Sequence, residues 1–400
     1  MTPSSRLSTG EFIALTAMLF ATIALSIDAM LPALPDIAAA LSPTDPNRAQ
    51  LVLTSFVLGM GLGTLVAGPL SDRFGRKAVI LTGSALYCVA AVACWGAGSL
   101  DMLLAARLIQ GIGAAGPRTV SIAIVRDLYT GREMARIMSF AMMIFTIVPA
   151  VAPLMGQAVI AVADWHAIFL VYVVFALITM LWLGLRQPET LPPQDRRPLT
   201  PRSLMAASGQ VLALRPVQLS IAAQSLTLGA LFATLSSMQG IFEMRFDRAD
   251  SFPLWFAVIA AASASGSLLN ARMVMRHGMR RVVTLTYAAV LSLTLLHLAL
   301  VGTGALSDTA AFGAHVLWCI ALFAMMGLTM GNLNALAMEP LGHVAGLAAS
   351  LISSIATVAS VLLAIPVGLA FNGTNLPLLL GSAVFIAGAL VLMLRMPSRG

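Results

Sequence analysis

Charge is what this sequence has least of. Only 10% of its 400 residues are Asp, Glu, Lys or Arg, against about 25% in ordinary soluble proteins. Hydrophobic residues make up 59%. So few charges cannot cover the surface of a water-soluble chain this long. Soluble enzymes, nucleic-acid binders and disordered regulators are therefore excluded, and an integral membrane protein is expected. Lysine is almost missing: of 23 basic residues only Lys77 is one. A Walker A loop needs Gly-Lys-[Ser/Thr], and Lys77 follows Arg76, so ATP binding of that kind is excluded. An ion gradient is the expected source of energy. Three cysteines, Cys88, Cys94 and Cys319, fall inside apolar runs without C-x-x-C spacing. They read as small packed hydrophobes, with no disulfide framework or metal site. H-E-x-x-H and G-x-S-x-G are absent, which removes common zinc and serine hydrolase signatures. No catalytic residue, metal or cofactor is expected.

What is present is long apolar runs. A spanning helix needs about 20 mostly apolar residues. Twelve such runs occur, at 11–32, 48–70, 78–98, 102–126, 135–160, 166–186, 216–241, 253–275, 282–303, 311–333, 344–370 and 376–395. The first is too long for a signal-peptide core and carries Asp28. If the N-terminus is cytoplasmic, the inner segments hold 18 of the 23 basic residues. Only Arg48, Arg245 and Arg248 fall outside, and Arg107 and Arg118 lie within spans. That bias puts both termini in the cytoplasm, and it explains a net charge of +7 without nucleic acid.

One long polar stretch, 187–215, divides the runs six and six. The expected fold is all-α, twelve transmembrane helices in two six-helix pseudo-symmetric halves, 1–186 and 216–400, joined by a cytoplasmic linker. A faint internal echo agrees. Gly266, Asn270, Arg276, Gly278, Arg280 and Arg281 follow the order of Gly68, Asp72, Arg73, Gly75, Arg76 and Lys77, without the acid.

An ionisable residue inside a span costs about 2.5–3.5 kcal/mol on insertion scales, so it is a functional candidate. Asp28 is the only carboxylate between Phe12 and Leu31. In low-dielectric surroundings a carboxyl can take up and release a proton near neutral pH. Arg107, in the fourth run, sits at a similar depth. The two either pair directly or share a water-filled cavity. Arg118 is eleven residues on, three helical turns and nearly the same face. It contacts substrate or braces the inner half.

Gly111, Gly113 and Gly116 spell G-x-G-x-x-G. A dinucleotide site would need a preceding strand. Inside an apolar helix, small residues instead permit close helix packing. Gly59 and Gly63 carry the same meaning in the second run.

Four segments together resemble the major facilitator superfamily, in its drug:proton antiporter branch. Gly68-Pro-Leu-Ser-Asp-Arg-Phe-Gly-Arg-Lys77 is similar to that superfamily's motif A. Gly68 and Gly75 allow close approach and a tight turn. The resemblance implies a cytoplasmic gate, with Asp72 capping the helix that begins near Val344 and Arg73 pairing with Asp127; Arg76 belongs to the same motif. Arg107 with Gln110, Gly111 and Gly113 resembles motif B, associated with proton coupling. Pro149, Pro153 and Gly156 resemble the antiporters' motif C, with Ala152 and Gln157 in place of its glycines. Its prolines imply a bend, hinge or seal. Asp28 to Ile37, Ile124 to Tyr129, Pro188 to Pro193 and His343 to Ser350 resemble the Bcr/CflA efflux subfamily.

The family resemblance implies a multi-pass protein of a bacterial inner membrane, acting as a monomer on protons and a small-molecule substrate. Its expected function is proton-coupled export of antibiotics or other small amphipathic molecules by alternating access. A proton-linked importer on the same fold is the alternative, and a non-transporting membrane sensor a remote one. A pocket between the halves would draw on Arg118, Met142, Met143, Phe145, Phe232, Gln239, Met325, Met326 and Asn332. Methionine suits variable ligands, though each of these also reads as plain packing.

Overall fold

A computed structural model of the protein describes residues 7–196, 208–339, 341 and 345–396. Among them there are helices and no strands. Twelve helices are long and apolar enough to cross a membrane. The first six are α1 (Thr9–Asp28), α2 (Leu51–Phe74), α3 (Arg76–Trp95), α4 (Leu100–Leu128), α5 (Gly131–Val162) and α6 (Ala167–Arg186). The rest are α7 (Arg215–Gly240), α8 (Phe252–His277), α9 (Met279–Thr303), α10 (Asp308–Met338), α11 (Ala345–Leu369) and α12 (Leu376–Leu394). The protein is thus a multi-pass membrane protein, and each apolar run became one helical span; α8 is two helices, Phe252–Ser263 and Ser265–His277, that meet at Ala264.

The first span runs longer than its apolar run. After Asp28 the chain makes a 3-10 turn at Leu31–Ala33 and a short helix, Leu34–Leu41. Pro32 and Pro35 each sit in the first turn of the new element, where a missing N–H costs nothing. Proline therefore restarts the helix rather than ending the span. Ser8, Ser99 and Ser307 accept from the first-turn N–H of Glu11, Met102 and Ala310, which starts α1, α4 and α10.

The contacts divide the chain into two compact units. One comprises Met1–Pro43 and Ser55–Met205; the other comprises Thr44–Thr54 and Ala206–Gly400. In the first unit, glycines let helices cross backbone to backbone. A Cβ on Gly111 would collide with the Phe56 carbonyl, and one on Gly59 with the Leu108 carbonyl. A Cβ on Gly113 would lie 2.6 Å from Tyr87 N. So α4 lies tight against both α2 and α3, and the G-x-G-x-x-G run is packing. Where α1 begins and α6 ends, Glu11 of α1 accepts from Trp182 and Arg186 of α6, each at 3.0 Å.

In the second unit, Gly266 lies so close to Ala324 that a Cβ would strike its carbonyl. Asn47 donates to the Leu369 and Phe371 carbonyls at 3.0 and 2.7 Å, which ties Thr44–Thr54 to this unit. Both units use one device between consecutive helices: a glycine with positive φ, Gly75 at 99° and Gly278 at 75°. Only glycine adopts such a φ without strain.

Candidate functional site

Asp28 closes the last turn of α1 and is 6% exposed. Among the described residues it has no ion-pair partner. Arg107 is fully buried in α4, yet the direct pair with Asp28 does not form. Arg107 donates from Nη1 to Gln110 Oε1 at 2.8 Å and from Nη2 to the Ser26 carbonyl at 2.9 Å. Its guanidinium also lies 4.4 Å from the centroid of the Phe56 ring, a cation–π contact strengthened by desolvation. Arg107 therefore grips the backbone of α1 two residues before the acid, rather than the acid itself.

Ser26 is the junction. Its hydroxyl donates to the Thr22 carbonyl at 2.6 Å and meets the Tyr87 hydroxyl at 2.6 Å. Its carbonyl also accepts from Tyr172 at 3.4 Å. Side chains from α3, α4 and α6 thus converge on one residue of α1. Tyr87, Tyr172, Ser26 and Phe56 escaped the sequence reading. One signal was there: the chain has four tyrosines, and a tyrosine inside an apolar run needs a partner for its hydroxyl. The second unit has the counterpart, where Tyr287 of α9 meets Thr227 of α7.

The segment that resembles motif C lies beside the same acid. Gly156 of α5 packs on Ala29, and a Cβ there would collide with the Ala29 carbonyl. Glycine here lets α5 touch α1 at the residue after Asp28. Pro149 and Pro153 lie inside α5, which stays helical through both.

One pairing expected of the motif A segment requires a correction. Arg73 does not pair with Asp127; Arg76 does, with Nε 3.1 Å from Asp127 Oδ2. Arg76 also donates from Nη1 to Asp72 Oδ1 at 2.5 Å and to Ser71 Oγ at 2.7 Å. Asp72 and Arg76 are four residues apart and face each other, whereas Arg73 adjoins Asp72 and points elsewhere. Arg73 is exposed, 5.1 Å from the ring centroid of Phe74. Asp72 finds its described partner in Arg76; Val344, the expected start of its capped helix, lies outside the described residues. Gly68 lies in the last turns of α2.

The pocket candidates are scattered. Arg118 is half-buried, with Nη1 3.9 Å from Met60 Sδ and no carboxylate partner among the described residues. Met142 and Met143 of α5 are 44% and 54% exposed, while the side chain of Phe145 lies outside the described residues. In the second unit Phe232 and Gln239 of α7 are buried, and Gln239 Oε1 has no hydrogen-bond partner among the described residues. Met325 has no exposed surface, so it fills the core of its unit instead of lining a pocket. Met326 is half-buried. Asn332 donates to Asn270 Oδ1 at 2.7 Å and to the Leu328 carbonyl at 2.9 Å, so its amide N–H groups already have acceptors.

Comparison with known proteins adds to this geometry. A sequence model of the Major Facilitator Superfamily matches residues 15–364. An uncharacterized MFS-type transporter, YdgK of Bacillus subtilis (strain 168), is 30% identical over 345 residues, 82% of this chain and 81% of that protein. A bicyclomycin resistance protein homolog of Haemophilus influenzae is 30% identical over 267 residues, 66% of each chain. Among solved structures, a D-xylose-proton symporter superimposes with a TM-score of 0.75 at 15% identity, over 97% of this chain and 96% of that one.

Proposed function

The chain belongs to the Major Facilitator Superfamily, and from that premise we propose that this transporter exports small amphipathic molecules, antibiotics among them, in exchange for protons. It is a transporter and not an enzyme. The observation that carries the coupling is Asp28, buried at the end of α1 with no cation partner among the described residues. Burying a lone carboxylate is expensive, and taking up a proton removes that cost. Arg107 holds the α1 backbone at Ser26, so a change in charge at Asp28 falls two residues from the carbonyl that Arg107 fixes.

In this reading Asp28 takes a proton when open to the outside, and substrate leaves. When open to the inside, it gives that proton up as substrate binds. The two six-helix halves alternate access around the site. Motif C residues Pro149, Pro153 and Gly156 support antiport, with Gly156 against Ala29. The bicyclomycin resistance homolog and the multidrug resistance protein MdtL of Salmonella typhi, 29% identical over 247 residues, support drugs as the substrate class. We place the protein in a bacterial inner membrane with both termini cytoplasmic, on the arginine bias of its loops.

The test is expression in an efflux-deficient bacterium, with resistance scored across a drug panel. Everted vesicles with an imposed pH gradient then give the direction. Export by antiport requires substrate to move against the proton flow. Movement with the protons would instead establish the proton-linked importer.

A further inference from the structure

The segment Pro188 to Pro193 follows α6 and has no part in the coupling reading. Its position is specific. Glu189 accepts from the backbone N–H of Arg76 at 2.9 Å through Oε1, and from that of Lys77 at 3.1 Å through Oε2. These are the first two residues of α3, whose N–H groups have no partner within their own helix. Gly75, just before them, offers no side chain to cap them. A carboxylate in this place also meets the favourable end of the helix dipole. The same Oε1 accepts from Thr190 and Leu191 N–H, each at 3.0 Å, so the carboxylate is fixed to its own strand of chain as well.

Two further bonds close the structure. Thr190 donates its hydroxyl to Asp127 Oδ2 at 2.9 Å, the oxygen that also receives Arg76 Nε. Lys77 donates from Nζ to the Gly184 carbonyl at 2.6 Å. Gly75 completes the fit: a Cβ there would collide with Glu189 Oε2. The glycine of motif A is therefore needed for room as well as for its φ of 99°.

We propose that Pro188–Pro193 is a strap that fixes the corner between α2 and α3, and that Glu189 is a positioning residue holding Arg76 in place for Asp127. The chain leaving α6 is thereby built into the motif A corner. The proposal rests on the family reading, under which that corner belongs to the transport machinery. It does not depend on the direction of transport or on Asp28.

The test is hydrogen–deuterium exchange of the full chain in lipid nanodiscs. Glu189→Ala exposes the first N–H groups of α3, and residues 74–79 exchange about tenfold faster. The inner end of α4, residues 124–130, loosens with them. Glu189→Gln keeps the shape and one neutral acceptor, and restores most of the protection. Arg76→Ala loosens residues 124–130 while 74–79 stay protected, because the backbone N–H groups keep Glu189. Asp28→Asn changes neither segment, so the strap and the coupling reading stand or fall separately. Unchanged exchange at 74–79 in Glu189→Ala overturns the strap. If that variant does not fold, wild-type rates at both segments in Glu189→Asp, whose shorter side chain draws its carboxylate away from the Arg76 and Lys77 N–H groups, overturn it equally. Equal loosening of 74–79 by Arg76→Ala overturns the positioning role.

Discussion

Asp28 and Arg107 share a site without sharing a bond, and that separation has consequences for each. A neutral side chain of the same shape at Asp28 leaves the packing of α1 intact, since no ion pair is lost. We expect Asp28→Asn to yield normal amounts of folded protein and to abolish the response of transport to a pH gradient in vesicles. Normal coupling in that variant would end the role proposed for Asp28. Arg73 and Arg76 give a sharper contrast. Arg76 is 9% exposed and bonded to two carboxylates, so Arg76→Ala should cost about 2 kcal/mol or more. Arg73 is exposed, so Arg73→Ala should change stability by no more than about 0.5 kcal/mol. Thermal melting of the two purified variants measures this, and the reverse order would contradict the pairing seen here.

Helix crossings set the scale above. The α2–α4 contact relies on Gly59 and Gly111, whose hydrogen atoms face carbonyl oxygens of the neighbouring helix. Gly111→Val drives a branched side chain into the Phe56 carbonyl, at a cost of about 3 kcal/mol or more. Gly313 of α10 has open space where its Cβ would be. Gly313→Ala should therefore be neutral or stabilising by up to about 1 kcal/mol. Yields and melting temperatures of the two variants separate these outcomes. At the corners between helices, the two units differ in chemistry. The first answers Asp72 with Arg76, whereas the second pairs Asn270 with Asn332. The sequence echo, with its missing acid, thus marks a charged corner in one unit and a neutral amide pair in the other.

At the scale of the whole molecule, cysteine labelling tests the orientation. Cys88, Cys94 and Cys319 are buried and should stay silent toward a membrane-impermeant maleimide. In a variant carrying Ser5→Cys or Ser398→Cys, labelling should require permeabilised cells. Arg48→Cys should label in intact cells. The opposite pattern would invert the topology and with it the proposed direction of proton flow.

The sequence by itself determined what the bilayer demands. Twelve apolar runs became twelve helices because a backbone in hydrocarbon must satisfy its own hydrogen bonds. Charge within a span is costly, so Asp28, Arg107 and Arg118 stood out at once. Partners were another matter. Arg73 and Arg76 are three residues apart and chemically alike, and nothing in their spacing told which would reach Asp127. Only the turn at Gly75 and the arrival of α4 decided it. Ser26, Tyr87 and Tyr172 meet through contacts between residues 61 to 146 positions apart, which no local pattern encodes. Glu189 was legible as part of a motif, but its work at the start of α3 depends on the chain after α6 returning to a corner 112 and 113 residues earlier. Local chemistry fixes which groups are expensive to bury; the tertiary fold decides which partner meets each of them.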